Sequence, residues 1–198
     1  MLELGGRPML DYAVERLRSA PVDEIRIVVR PEKHDVVDRA GALGLTVVEA
    51  RPGTLSDSML AGIAGLADDH IVLLDLPDSI WEPIDGFRLL LEALTTEADI
   101  VLAAFPSAEP ERGDVVEVDR DDRVAAVHAK SAEPRGNLVW GAVAARAGSL
   151  SGLTRHAQPG DLFDELARGG RVRAVRFPGE FIDIGTREAL ERAKELFG

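Results

Sequence analysis

Short apolar runs alternate along the chain with segments whose apolar residues recur every three or four positions. The segment 8–20 (PMLDYAVERLRSA) gathers Met9, Leu10, Ala13, Val14 and Leu17 on one helical face. Pro8 suits the first turn of that helix. After Pro21, the β-branched run 24–29 (EIRIVV) predicts a strand. A second helix spans 32–43 and stops at Gly44, followed by a strand at 45–49 and an RPGT turn at 51–54. Thr54 reads as the N-cap of a helix over 55–67, with Asp57 at its third position. The run 71–74 (IVLL) reads as a strand buried on both faces, 85–97 as an amphipathic helix, and 99–105 as a second buried strand. This alternation predicts a mostly parallel, right-handed βαβ sheet over 8–105.

Beyond Pro106 the texture changes. Strands at 115–118 and 123–128 flank a DRDD turn and predict a hairpin, and 138–145 is a further strand containing Trp140 and Gly141. A helix at 162–168, strands at 172–177 and 181–184, and a last helix at 186–197 opened by Thr186 complete the chain. No repeat, low-complexity run or linker divides it, so residues 1–198 read as a single domain.

Composition narrows the classes. A 198-residue chain with 45% apolar residues predicts a soluble domain with a sizeable core. Its longest apolar runs are too short to cross a bilayer, which predicts no membrane partner. The opening MLELGGRPML lacks the basic and apolar regions of a signal peptide. With zero cysteines, this predicts a cytoplasmic protein without disulfides or thiolate metal sites. A net charge of −12 and few aromatic residues argue against nucleic acid as a partner. A small phosphorylated ligand remains compatible, given a metal ion or a local cluster of cations. A homo-oligomer is also compatible.

Candidate chemistry centres on the end of the 71–74 strand, since open α/β sheets bind ligands at their carboxyl ends. Asp75 and Asp78 lie there, either as metal or substrate contacts or as turn formers. Asp183, alone between Ile182 and Ile184, would be costly to bury unpaired. It reaches a cation, a donor or solvent, or points outward from an edge strand. Two carboxylates from separate strand ends suit Mg²⁺, which keeps several waters and takes further ligands from substrate phosphates. Lys130, after a strand, is either a phosphate contact or simply solvated. His34, His70, His128 and His156 share no metal-ligand spacing.

Five segments in order resemble the sugar-1-phosphate nucleotidyltransferases, the family that includes glucose-1-phosphate thymidylyltransferase. LGGRPMLDYAVERL (4–17) resembles the stretch opening the family's first long helix, and LLDLPDSIWEP (73–83) the motif supplying its first metal-binding Asp. RGDVVEVDRDDRVAAVHAK (112–130) is similar to the family hairpin, NLVWGAVAAR (137–146) to the strand lining the sugar pocket, and FIDIGTREAL (181–190) to the ending with the second Asp. The resemblance implies a three-layer α/β/α nucleotide-diphospho-sugar transferase fold, GT-A/Rossmann-like, with a mixed sheet. It implies Mg²⁺ held by Asp78 and Asp183, and a sugar phosphate contacted by Lys130. It also implies a sugar near Asn137, Trp140 and Gly141, and a base near Arg51 and Asp57. The reaction implied joins a sugar 1-phosphate, a hexose by this resemblance, to an NTP of the dTTP or UTP kind, releasing pyrophosphate.

The chain also departs from the family pattern. The first strand, its G-x-G-[TS]-R-L loop and a following P-K pair have no counterpart, so the expectation is weak NTP binding by this chain. Met1 reads as an internal methionine with roughly 20–25 residues upstream, the length of a βα unit with its loop. Ala129 stands where the family has a sugar-contacting Glu, Ser131 where Pro follows the Lys, and Arg51 where Gln is common. Two other readings are a non-catalytic sugar-nucleotide-binding or regulatory paralogue and a GT-A glycosyltransferase. The spaced carboxylate pair speaks against the first, and the absence of a D-x-D motif at the 71–74 strand end against the second.

Overall fold

The computed structural model describes residues 1–130 and 133–197; Ser131 thus lies outside the described residues. In chain order the elements are β1 (Glu3–Leu4), β2 (Arg7–Pro8), α1 (Met9–Arg18), β3 (Arg26–Val29), α2 (His34–Ala42), β4 (Thr46–Glu49) and α3 (Leu55–Ile63). There follow β5 (Ile71–Leu74), β6 (Ser79–Ile80), α4 (Gly86–Ala93), β7 (Ile100–Pro106), β8 (Val115–Val118) and β9 (Val124–His128). The last elements are β10 (Leu138–Arg146), α5 (Pro159–Arg168), β11 (Val172–Arg176), β12 (Ile182–Asp183) and α6 (Arg187–Phe197). Among the described residues, no helix is long and apolar enough to cross a membrane.

The main sheet has six strands. β7 lies between β11, to which it is parallel, and β10, to which it is antiparallel. On its other edge β10 pairs antiparallel with β5 along Val143–Arg146 and with β8 at Val139, and β8 continues into the hairpin with β9. The mostly parallel sheet expected over 8–105 is therefore corrected to a mixed one. β5 and β7 run the same way, but antiparallel β10 is inserted between them. Hydrophobic periodicity reports which residues are buried and says nothing about which later strand enters between two earlier ones. The parallel pair β3–β4 forms a separate two-stranded sheet, and β5 shares no ladder with it among the described residues.

The alternation of side chains across β7 builds three layers. Ile100, Leu102 and Ala104 join Val143, Phe163, Leu162 and Met59 on one face, under α3, α5 and a 3₁₀ segment, Ala147–Arg155. Val101, Ala103 and Phe105 join Ala142, Ala144, Phe87 and Trp81 on the other, under α4 and the end of α1. A third cluster joins Leu4, Met9, Ile80, Ile182, Ile184 and Ala193, so that β1, β6, β12 and α6 share a floor. Two local expectations change. β5 is not buried on both faces, since Ile71 at its start is 52% exposed. α3 ends at Ile63 rather than near 67, because Gly65 adopts a left-handed φ of +79°. The Arg26 guanidinium takes up the Gly62 and Ala64 carbonyls there at 3.3 and 3.0 Å.

Candidate active site

The chain leaving β5 makes a tight turn over 76–79. Pro77 sets φ at its second position, and the Ser79 N–H and Oγ–H both donate to the Leu76 carbonyl, at 3.1 and 2.7 Å. The turn feeds β6, which pairs antiparallel with β12 so that Ser79 faces Asp183. The Ile184 N–H closes this ladder by donating to the Asp78 carbonyl at 2.9 Å. Asp78 and Asp183 are thus carried on two adjacent backbones, above the apolar floor of Ile80, Ile182 and Ile184.

Both aspartates are exposed, and among the described residues neither carboxylate accepts a hydrogen bond or an ion pair. Partial burial, and then the neighbouring Asp78 charge, push the Asp183 carboxyl above its usual range, while Lys130 and Arg112 pull it back. Lys130 ends the hairpin with its side chain exposed, and its backbone N–H donates to Asp114 Oδ1 at 3.2 Å. Asp78, Asp183 and Lys130 therefore share one electrostatic neighbourhood.

Two unpartnered oxygen donors whose charges oppose each other fit a hard divalent cation. No group of three or more His, Asp or Glu is gathered for a metal among the described residues. Asp78 and Asp183 would form the protein side of such a site, and water and phosphate oxygens would complete the shell.

Residues 1–168 match the family model described as the MobA-like NTP transferase domain. The chain belongs to this family. A putative glucose-1-phosphate thymidylyltransferase from Bacillus anthracis, solved with a sucrose, superposes with a TM-score of 0.85 at 20% identity, covering 98% of this chain and 84% of its own. A UDP-glucose pyrophosphorylase solved with UDP-glucose gives 0.82 at 18% identity, covering 100% and 89%. The three-layer nucleotidyltransferase fold expected from the sequence is thereby found in solved structures, and the chain is an NTP transferase enzyme.

The other residues singled out in this NTP transferase occupy three settings. Arg51 pairs with Glu32 and, with Arg30, Lys33 and Gly53, lines a cleft of about 530 Å³ beyond the ends of β3 and β4. Asp57 caps α3: its carboxylate accepts from the Gly53 and Thr54 N–H groups at 3.2 and 3.0 Å, and its own N–H donates to Thr54 Oγ1. Neither contacts Asp78 or Asp183. Asn137 is exposed at the start of β10, and its carbonyl accepts from Ser107 N–H at 2.8 Å. Trp140 turns into the core, edge-on to Phe163 at 5.3 Å, with Nε1–H donating to Asp114 at 3.1 Å. Gly141 sits at a register shift of β10, where an added Cβ would lie 2.3 Å from the Phe181 ring. Its bareness serves the packing of the segment that leads into Asp183.

Sequence reasoning missed three residues around this candidate site. Arg112 ends a 3₁₀ turn, Pro110–Arg112, pairs with Glu109 at 2.7 Å and acts on Asp183 through its charge. Asp114 is buried and ties Trp140 to the backbone of Lys130. Arg16 is 1% exposed and pairs with the equally buried Asp75 at 2.9 Å. A signal for Arg16 existed: it continues the apolar stripe of Met9 and Ala13 at helical spacing.

Proposed function

We propose that this NTP transferase joins a hexose 1-phosphate to UTP or dTTP, giving a nucleotide-diphospho-sugar and pyrophosphate. The observation carrying the proposal is the juxtaposition of Asp78 and Asp183 across the β6–β12 ladder, with Lys130 in their field. A phosphate oxygen of the sugar phosphate attacks the α-phosphorus of the NTP. The bond from that phosphorus to the β-bridging oxygen breaks, and pyrophosphate leaves with the electron pair. A Mg²⁺ ion held by Asp78 and Asp183 supplies neutralisation of the phosphate charge when bound. Lys130, on a flexible stem and exposed, holds the sugar phosphate against repulsion from the carboxylates. The ladder keeps both aspartates in register, so the contribution of the chain is positioning more than proton transfer. Arg51 and the Pro52–Gly53 turn receive the base in the cleft they line, and Asn137 and Gly141 border the sugar. Work on cellular NTP suits a cysteine-free chain in the cytoplasm.

A panel of hexose 1-phosphates against UTP, dTTP, ATP, CTP and GTP, read by pyrophosphate release with Mg²⁺, tests this reading. Release is expected with a hexose 1-phosphate and a uracil or thymine nucleotide. Release confined to a purine nucleotide would refute the base assignment. Release without any sugar phosphate would refute the acceptor.

A further inference from the structure

Among the described residues the carboxylates of Asp78 and Asp183 accept no hydrogen bond or ion pair, so their placement follows the backbones that carry them. The backbone of Asp78 is held by two buried side chains outside the candidate site, Arg16 and Asp75. Asp75, one residue before the 76–79 turn, is taken up by Arg16 from α1, at 2.9 Å through both Nε and Nη2 to Oδ2. Its Oδ1 accepts from Trp81 Nε1–H at 3.1 Å and from its own following N–H, that of Leu76, at 3.0 Å. The same Arg16 guanidinium donates from Nη2 to the Ser79 carbonyl at 3.1 Å, at the far end of the turn. One side chain thus grips the chain on both sides of Asp78. Trp81 lies under that guanidinium at 5.0 Å and is wedged among Phe87, Phe105 and Phe177.

This arrangement is expensive. Both charged side chains are 1% exposed, and a buried ion pair generally stabilises a fold no better than apolar residues of the same volume. What the pair adds is geometry. A planar guanidinium with donors at fixed angles allows one arrangement of Asp75 and the Ser79 carbonyl, where an apolar contact would allow several. The turn between them passes that constraint on to Asp78, and the Asp78 carbonyl passes it to the Ile184 N–H beside Asp183.

We infer that Arg16 and Asp75 are positioning residues, a buried clamp that fixes the 76–79 turn and so holds Asp78 in register with Asp183. The inference rests on the reading of Asp78 and Asp183 as a divalent-cation pair. The clamp touches neither substrate nor metal, and it acts only through the turn.

The test is Mn²⁺ binding to the full chain, measured by the paramagnetic resonance signal of free Mn²⁺, alongside thermal melting of each variant. The wild type is expected to bind Mn²⁺, and Asp183→Asn to lose it. The apolar pair Arg16→Met with Asp75→Leu is expected to melt within a few degrees of wild type yet bind Mn²⁺ at least tenfold more weakly. Arg16→Lys, whose single ammonium reaches Asp75 or the Ser79 carbonyl but not both, covers the case in which the apolar pair fails to fold. It is expected to keep the fold and weaken Mn²⁺ binding about threefold or more. Binding lost in Asp183→Asn but unchanged in folded Arg16 variants would overturn the clamp alone. Absence of Mn²⁺ binding in wild type, or its survival in Asp183→Asn, would overturn the reading of the metal pair and the clamp with it.

Discussion

Replacing Gly141 by alanine puts one methyl group where the structure has a phenyl ring. The new Cβ would lie 2.3, 2.5 and 3.0 Å from Phe181 Cδ2, Cε2 and Cγ. Ordinary carbon contacts are about 3.5–4.0 Å, so the ring must retreat by more than about 1 Å. It cannot do so freely, because Phe181 stands against Phe105 at 5.7 Å and Phe105 is stacked on Phe177 at 5.1 Å. Overpacking of this kind costs about 1–3 kcal/mol. At about 2–4 °C per kcal/mol for a chain of this size, a penalty of about 2 kcal/mol lowers the melting temperature by about 4–8 °C. The assay is urea unfolding followed by circular dichroism, in a cycle of Gly141→Ala, Phe181→Ala and the double variant. Removing the ring removes the clash, so the double variant should be more stable than the sum of the single losses by at least about 1 kcal/mol. Additivity within about 0.5 kcal/mol, or an unchanged stability for Gly141→Ala, would refute the packing argument.

Three smaller predictions follow from groups whose surroundings are unusual. Ser56 Oγ is buried with no hydrogen-bond partner among the described residues, so Ser56→Ala should leave stability unchanged or raise it by up to about 1 kcal/mol in urea unfolding. The hydrogen bond and charge of Arg39 hold the Asp11 carboxyl below its usual range. That stabilisation is present above the unfolded value of about 3.9 and is lost as pH falls through the folded value. Asp11→Asn should therefore cost about 1 kcal/mol at pH 7, a salt-bridge magnitude, with the difference from wild type narrowing below about pH 4 in pH-dependent melting. Asp183 has the opposite sign: its raised value makes the charged carboxylate a burden on the fold above that value, and the burden disappears on protonation. Solvent screening limits it to about 0.5 kcal/mol, so Asp183→Asn should raise the melting temperature of the metal-free protein by about 1–2 °C at pH 7, and not at all in acid.

The three layers were legible through the resemblance, and the buried strand read at 99–105 fits them: Ile100, Leu102 and Ala104 of β7 face one core and Val101, Ala103 and Phe105 the other. The insertion of β10 was not legible, since its partners on β5 and β7 lie far back in the chain. The motifs separated Asp78 from Asp75, and the burial of Asp75 against Arg16 gives that separation its physical content. The pairing itself spans 59 positions, beyond the reach of any local pattern. Gly141 illustrates the remaining gap. The resemblance puts a sugar near this glycine, and no local pattern shows that the atom nearest its missing Cβ belongs to Phe181, far along the chain.

The central claim is that Asp78 and Asp183 form one divalent-cation site for nucleotidyl transfer. Its most direct test is pyrophosphate release from UTP and glucose 1-phosphate across a Mg²⁺ titration, comparing wild type with Asp78→Asn and Asp183→Asn. The account predicts Mg²⁺-dependent release by wild type and a loss of about a hundredfold or more in each variant. Full activity in either variant, or release by wild type that is indifferent to Mg²⁺, would contradict it.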